Sequence, residues 1–219
     1  FTIECWVWID AAGDAEETIF ELNTSKYTDS ILVNHYDGYG IAAYLNTGSV
    51  GSSLHGHDAT TMGSEASVAS TDWTHLAIVR NSDTITLYLN GVSVDSGSYS
   101  GQDFSNQTEV IIGGGNNGTT NSLMYDLRIV KGTAVYTADF TPPTSQLEDI
   151  TGTALLACRA GWFKDTSSVG YDLVAKSEPE ISFETPPQVD FDKYDAATHG
   201  GSVYFDGTTF IKMSAFMLS

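Results

Sequence analysis

The chain has 219 residues, 41% hydrophobic and 17% charged, a balance that describes a globular protein and excludes a disordered one. Its 28 acidic residues against 9 basic give a net charge of −19. That field repels phosphate backbones and anionic bilayers, so neither nucleic acid nor membrane insertion is expected. No apolar run reaches the ~18 residues of a spanning helix, and two cysteines are too few for a disulfide framework.

Apolar alternation at a period of two recurs along the chain, broken by turn residues, while helical periodicity is nearly absent. Strands are predicted at Thr2–Ile9, Thr18–Leu22, Ser30–His35 and Gly40–Leu45. Asn46–Thr71 is polar and rich in Ser and Gly, a long loop with room for one further strand. Then comes the clearest stretch, WTHLAIVRNSDTITLYLNG at Trp73–Gly91. It reads as strands Thr74–Arg80 and Thr84–Leu89, broken by Asn81-Ser82-Asp83 and closed by Asn90-Gly91. Both residues of that last pair accept positive φ, which marks a hairpin. Further strands are predicted at Val92–Asp95, Glu109–Ile112, Ser122–Val130, Thr153–Arg159 and Asp172–Ala175. Gly113–Asn121 (GGGNNGTTN) reads as an irregular turn between two of them.

Composition shifts near Ser177. Prolines at 179, 186 and 187 favour an extended segment, Asp190–Gly201 resembles a linker, and a new hairpin signal follows at Ser202–Phe205 and Phe210–Met213. The expected organisation is a jelly roll over 1–187, a linker over 188–201, and strands over 202–219. Those last strands either open a further repeat or complement the same sandwich. Complementation is preferred, because an unfilled sheet edge leaves backbone donors and acceptors unpaired.

Catalytic patterns are sparse. Retaining glycoside hydrolysis needs two carboxylates roughly 5 Å apart, yet Glu4 and Asp10 lie about 20 Å apart along an extended strand. Asp190 and Asp192 have alternate spacing but fall in the linker. No Gly-x-Ser-x-Gly elbow occurs. His75 reads as a packed strand residue, and His55-x-His57 has no evident third ligand for a metal. Calcium, which takes hard oxygen ligands from loops, has candidates in Asp37, Asp58 and Asp126. Sugar recognition through ring stacking and amide hydrogen bonds has candidates in Tyr36, Tyr39, Asn116, Asn117, Asn121 and Trp162, with core packing the competing role for each aromatic. Trp6, Trp8 and Trp73 belong to strands and read as structural. Asn23, Asn106 and Asn117 stand in Asn-x-Ser/Thr sequons. Cys5 and Cys158 are expected as buried free thiols, a bridge between them requiring the first and late strands to be neighbours. The Trp73–Gly91 meander reads as scaffold, which leaves binding to the loops around it.

Four segments together resemble a known family: FTIECWVWI at Phe1–Ile9, WTHLAIVR and LYLNG within Trp73–Gly91, YDLRIVKGTAVYTADFTPPTS at Tyr125–Ser145, and GTALLACR at Gly152–Arg159. The chain is similar to laminin-G-like domains of the concanavalin A-like group, of the type repeated in bacteriophage tail-fibre and other virion proteins. In such proteins a new domain commonly opens with a segment similar to Gly200–Met213, so the resemblance implies that the jelly roll over 1–187 lacks its first strands. The resemblance implies an all-β fold, a two-sheet antiparallel jelly-roll sandwich of concanavalin A-like type. It further implies a non-enzymatic structural and adhesion role at a virion surface or tail appendage. Partners would be other virion proteins, copies of itself, or a host cell-surface glycan. The alternatives are an accessory domain of a glycan-degrading enzyme and a secreted, extracellular calcium-dependent lectin.

Overall fold

The computed structural model describes residues 1–10, 17–23, 30–36, 40–47, 50–54, 72–115, 118–159, 164–176, 179–182, 184, 186, 202–208 and 210–214. Among the described residues seventeen strands run in chain order. They are β1 (Thr2–Ile9), β2 (Glu17–Asn23), β3 (Ser30–Tyr36), β4 (Gly40–Thr47), β5 (Val50–Leu54), β6 (Thr74–Asn81), β7 (Thr84–Leu89), β8 (Val92–Ser98) and β9 (Glu109–Ile112). Then follow β10 (Gly114–Gly115), β11 (Gly118–Thr119), β12 (Asn121–Val130), β13 (Thr153–Ala157), β14 (Val174–Lys176), β15 (Glu180–Ser182), β16 (Ser202–Asp206) and β17 (Phe210–Ser214).

Two antiparallel sheets form the sandwich. One has eight strands in the order β15-β16-β12-β1-β6-β7-β8, with β13 also paired to β12; the other has seven, β14-β17-β9-β2-β3-β4-β5. Alternation sets their facing. Ile3, Cys5, Val7 and Ile9 of β1 enter the core between the sheets with Phe20, Leu22, Ile31, Val33, Ile78, Leu87 and Ile112. Each fully buried aliphatic or aromatic side chain of this kind stabilises by roughly 1.5–3 kcal/mol. This is the all-β, two-sheet jelly-roll sandwich that the family resemblance implies, and the alternation by itself favours a sandwich or jelly roll.

Thr2–Ile9, Thr84–Leu89 and Glu109–Ile112 match observed strands end to end. The Asn90-Gly91 turn holds both residues at positive φ, 49° and 78°. The long polar loop does contain a strand, β5, and Gly113–Asn121 includes the small β10–β11 hairpin. The strand predicted to Arg159 stops at Ala157, because Cys158 takes a left-handed φ of 59°. Both cysteines are buried and free.

A β-bulge shapes the functional side. Glu4 pairs with Arg128 and Trp6 with Tyr125, so Asp126 and Leu127 together oppose Cys5. Asp126 absorbs the extra residue with φ 56°, a conformation that Asp tolerates better than most side chains. Arg128 and Tyr125 thereby share one face although they are three positions apart, a spacing that puts residues of a regular strand on opposite faces.

A strap crosses that outer face. Residues 131–150 hold no strand, but side chains of the sheet fasten their backbone. Thr2 Oγ1 donates to Thr133 O (2.9 Å) and accepts from Val135 N (2.9 Å). Leu147 N donates to Asp126 Oδ2 (2.5 Å), and Arg128 Nη1 to Glu148 O (2.9 Å). Phe140 N donates to Gly91 O (2.8 Å). A Cβ on Gly91 would lie 1.9 Å from Phe140 O, so this close approach requires glycine.

The last hairpin joins both sheets. β16 lies between β12 and β15, and β17 between β9 and β14. Phe205 and Ile211 enter the common core.

Candidate functional site

Beneath the strap lies a buried polar cluster. Glu4 is fully buried on β1. Arg128 donates to its Oε1 through Nε (3.0 Å) and Nη2 (2.6 Å), and Tyr136 donates its hydroxyl to Oε2 (2.7 Å). His75 Nε2 lies 3.4 Å from the same Oε2, an electrostatic contact longer than a strong hydrogen bond. Burial pushes the Glu4 carboxyl upward. His75, the Arg128 charge and the Tyr136 hydroxyl outweigh it and hold the group below the usual carboxylate range. The Tyr136 phenol is raised far above its ordinary value, by burial first and then by the Glu4 charge and hydrogen bond. His75 packs edge-on against Trp6, Tyr136 and Phe140, so it is a packed strand residue, as its sequence setting predicts.

Tyr136 links this cluster to the surface. Its ring stacks on Phe140 with centroids 3.5 Å apart and planes 4° from parallel, and Phe140 meets Tyr88 edge-on at 5.4 Å. With the ring stacked and the hydroxyl tied to Glu4, Tyr136 has little freedom left. Beside it opens a groove of about 230 Å³ between the strap and the outer face of β6 and β7. Val79 and Tyr88 are its buried wall residues. Thr84, Thr86, Asn81 and Thr137 bring hydroxyls and an amide, and Tyr136 completes the lining. No lining residue carries a charge. Alternation explains the composition, since Thr84, Thr86 and Tyr88 are every second residue of β7 and point away from the core that takes Ile85, Leu87 and Leu89.

The other candidates are distributed differently. Tyr36 is buried on the outer face of the seven-stranded sheet, its hydroxyl 2.6 Å from that of Tyr44 and accepting from Asn34 Nδ2 at 3.3 Å. Asn121 opens β12 and donates from Nδ2 to Asp10 Oδ2 (3.2 Å). Asp126, a calcium candidate, is buried in the bulge with Leu147 N on one oxygen and Arg159 Nε 3.4 Å from the other. Burial raises its carboxyl to about 6, against the opposing pull of Arg159 and the Leu147 N–H. These three residues are not brought together. Tyr39, Asp37, Asp58, Asn116, Asn117 and Trp162 lie outside the described residues, as do His55, His57, Asp190 and Asp192. Among the described residues no group of three His, Cys, Asp or Glu side chains is placed to hold a metal ion.

Five of the seven groove residues, Val79, Asn81, Thr84, Thr86 and Tyr88, lie inside the meander that reads as scaffold. Alternating Thr-x-Thr-x-Tyr on β7 is the signal that could have marked a polar outer face. What closes the groove, Tyr136 and Thr137, comes from a segment some fifty residues further along, which pattern reading cannot bring to it.

The two carboxylates of β2, Glu17 and Glu21, face opposite sides of the sheet. Glu21 pairs with Leu32 and Ile111 on the outer face, whereas Glu17 has the opposite parity to Thr18. Glu17 accepts instead from Thr120 Oγ1 (3.2 Å).

Comparison with known proteins agrees with this architecture. Residues 1–135 match the Laminin_G_3 family, described as the concanavalin A-like lectin/glucanases superfamily. A search of curated proteins found no match. Among solved structures the chain is similar to a protein from Bacteroides ovatus ATCC 8483 described as a "putative carbohydrate binding protein", with a TM-score of 0.52 and 13% identity. That alignment covers 100% of this chain and 54% of the other, so the chain spans about half the length of that protein. Since the family match takes in more than half of the residues and the sheets have the corresponding form, this chain belongs to the concanavalin A-like lectin/glucanases superfamily, in its laminin-G-like branch.

Proposed function

We propose that this domain is a non-enzymatic carbohydrate-binding module that serves adhesion and spacing on a bacteriophage virion appendage. The observation that carries the sugar-binding reading is the groove between β7 and the strap, walled by Tyr88 and Tyr136 and edged by threonine hydroxyls and Asn81. Tyrosine rings and hydroxyl or amide donors are the groups that hold a pyranose, through its C–H face and its hydroxyls. An uncharged lining on a chain of net charge −19 favours neutral glycans over sulfated or uronate-rich ones. The superfamily, and the description of the Bacteroides ovatus protein, support the same reading.

The non-enzymatic part rests on the carboxylates. Glu4 is sealed by Arg128 and Tyr136, and Glu17 and Glu21 face apart. The virion setting rests on the four sequence segments similar to phage fibre domains. Weak sugar contacts suit such a setting, where many copies act together.

A glycan array run with and without chelator tests the first part. Binding of neutral glycans that persists without calcium is expected. Binding lost on chelation would favour the calcium-dependent lectin instead. Release of reducing sugar from host polysaccharide would defeat the non-enzymatic reading. Labelled antibody on whole phage particles tests the location, and absence from the particle would end it.

A further inference from the structure

The β16–β17 hairpin is a wedge through both sheets. On one side it pairs with Asn121–Met124 of β12, and on the other with Glu109–Ile112 of β9. β14 and β15, three residues each, are hydrogen-bonded in the described sheets only to this hairpin. Phe205 and Ile211 are its contribution to the core, 0% and 1% exposed. The slot is shaped for them. Gly113 lies so close to the Phe205 ring that a Cβ would meet Cδ1 at 2.0 Å, and Gly207 N reaches Thr120 O at 3.1 Å. Withdrawing the hairpin would open two paired edges and leave β14 and β15 without a neighbour. An unfilled slot of this kind recruits another strand pair.

The connection into the hairpin is far longer than its position requires. Ser182 and Ser202 are direct antiparallel partners, and two residues suffice to join such strands. Nineteen, numbered 183–201, do so here, and nineteen residues reach as far as roughly 60 Å when extended. The same hairpin can therefore enter its own slot or that of a neighbour with the same contacts. What distinguishes the two outcomes is the entropy of the connection, which changes slowly with length, and the local concentration of chains.

We propose that the β16–β17 hairpin is an exchangeable element, and that its partner is a second copy of this chain, whose hairpin fills the same slot between β12 and β9. The exchange uses no groove residue and does not depend on sugar binding.

Two experiments on the full chain test it. In the first, light and isotopically heavy chains are mixed unfolded, refolded at rising concentration, and read by native mass spectrometry. Heavy–light dimers that increase with concentration are expected, and a population monomeric at every concentration overturns the proposal. The second uses complementary variants. Gly113→Ala closes the slot with a Cβ alone, which would meet the Phe205 ring at 2.0 Å, and avoids the β-branched side chain that the positive φ of 76° would not accept. Phe205→Ala weakens the hairpin of a chain whose slot is intact. After co-refolding these should form a 1:1 heterodimer that neither forms alone, while the two substitutions in one chain restore a monomer. Wild-type dimers without that heterodimer would mean that the copies meet at another surface, and would also overturn the proposal.

Discussion

Glu4 and Asp126 sit on neighbouring strands, both almost wholly removed from solvent, and their carboxyls shift in opposite directions. Burial pushes both carboxyls upward. Around Glu4, two N–H groups of one guanidinium and a phenol donate to the two oxygens, with an imidazole alongside. The carboxylate is thus held ionised. Asp126 receives one backbone N–H and a guanidinium at 3.4 Å, and its carboxyl rises to about 6. The number and charge of the donors, more than the depth of burial, decide the outcome. The strap is pinned at both carboxylates, through Tyr136 on Glu4 and Leu147 on Asp126.

The sharpest way to break this contrast is to strip Glu4 of its main donor. Arg128→Met leaves a buried carboxylate without its cation and should cost about 3–5 kcal/mol in urea unfolding. A loss below about 1 kcal/mol would mean that Tyr136 and His75 suffice.

Asp126 should reveal itself through pH. Its carboxyl rises from 3.8 to about 6 on folding, so between those values the folded chain binds more protons than the unfolded one. Stability from this group is then complete below pH 3.8 and declines as pH rises through 6, by up to about 3 kcal/mol at ~1.4 kcal/mol per pH unit. Asp126→Asn should flatten that decline in unfolding curves between pH 4 and 7, and an unchanged slope would refute the assignment. Glu4 acts with the opposite sign. Its pKa is lowered from 4.5, so its contribution is present above that value and fades on acidification.

A smaller effect is expected for Tyr136→Phe, which keeps the stacked ring and removes one donor to a charged group, at about 1.5–3 kcal/mol. The smallest effect on stability falls on the groove. Thr86→Val should shift unfolding by no more than about 0.5 kcal/mol. It should nevertheless weaken sugar binding about five-fold, the equivalent of one hydrogen bond of ~1 kcal/mol. Unaltered binding in titration calorimetry would move the sugar site elsewhere.

Local pattern carries much of the architecture. Period-two alternation at Thr2–Ile9, Thr84–Leu89 and Glu109–Ile112, and the Asn90-Gly91 turn, are properties of neighbouring residues, and the strands follow them. β15 and the β10–β11 hairpin escaped, because two or three residues are too few to show a period. The groove escaped for another reason. Thr84, Thr86 and Tyr88 read as ordinary strand residues until Tyr136 and Thr137 arrive beside them.

Taken alone, the amino-acid sequence determined that this chain is built of strands in a sandwich or jelly roll and which side chains alternate toward its core, since alternation and turn chemistry are local. The two antiparallel sheets came from its resemblance to laminin-G-like domains. Only the tertiary structure decided that Glu4 meets Arg128, 124 residues away, and that the strap lies across β1 and β6. It alone also brought Ser202–Ser214 into both sheets. These are long-range pairings whose register depends on a bulge at Asp126 and on close approaches at Gly91 and Gly113, and such contacts leave no periodic trace in the chain.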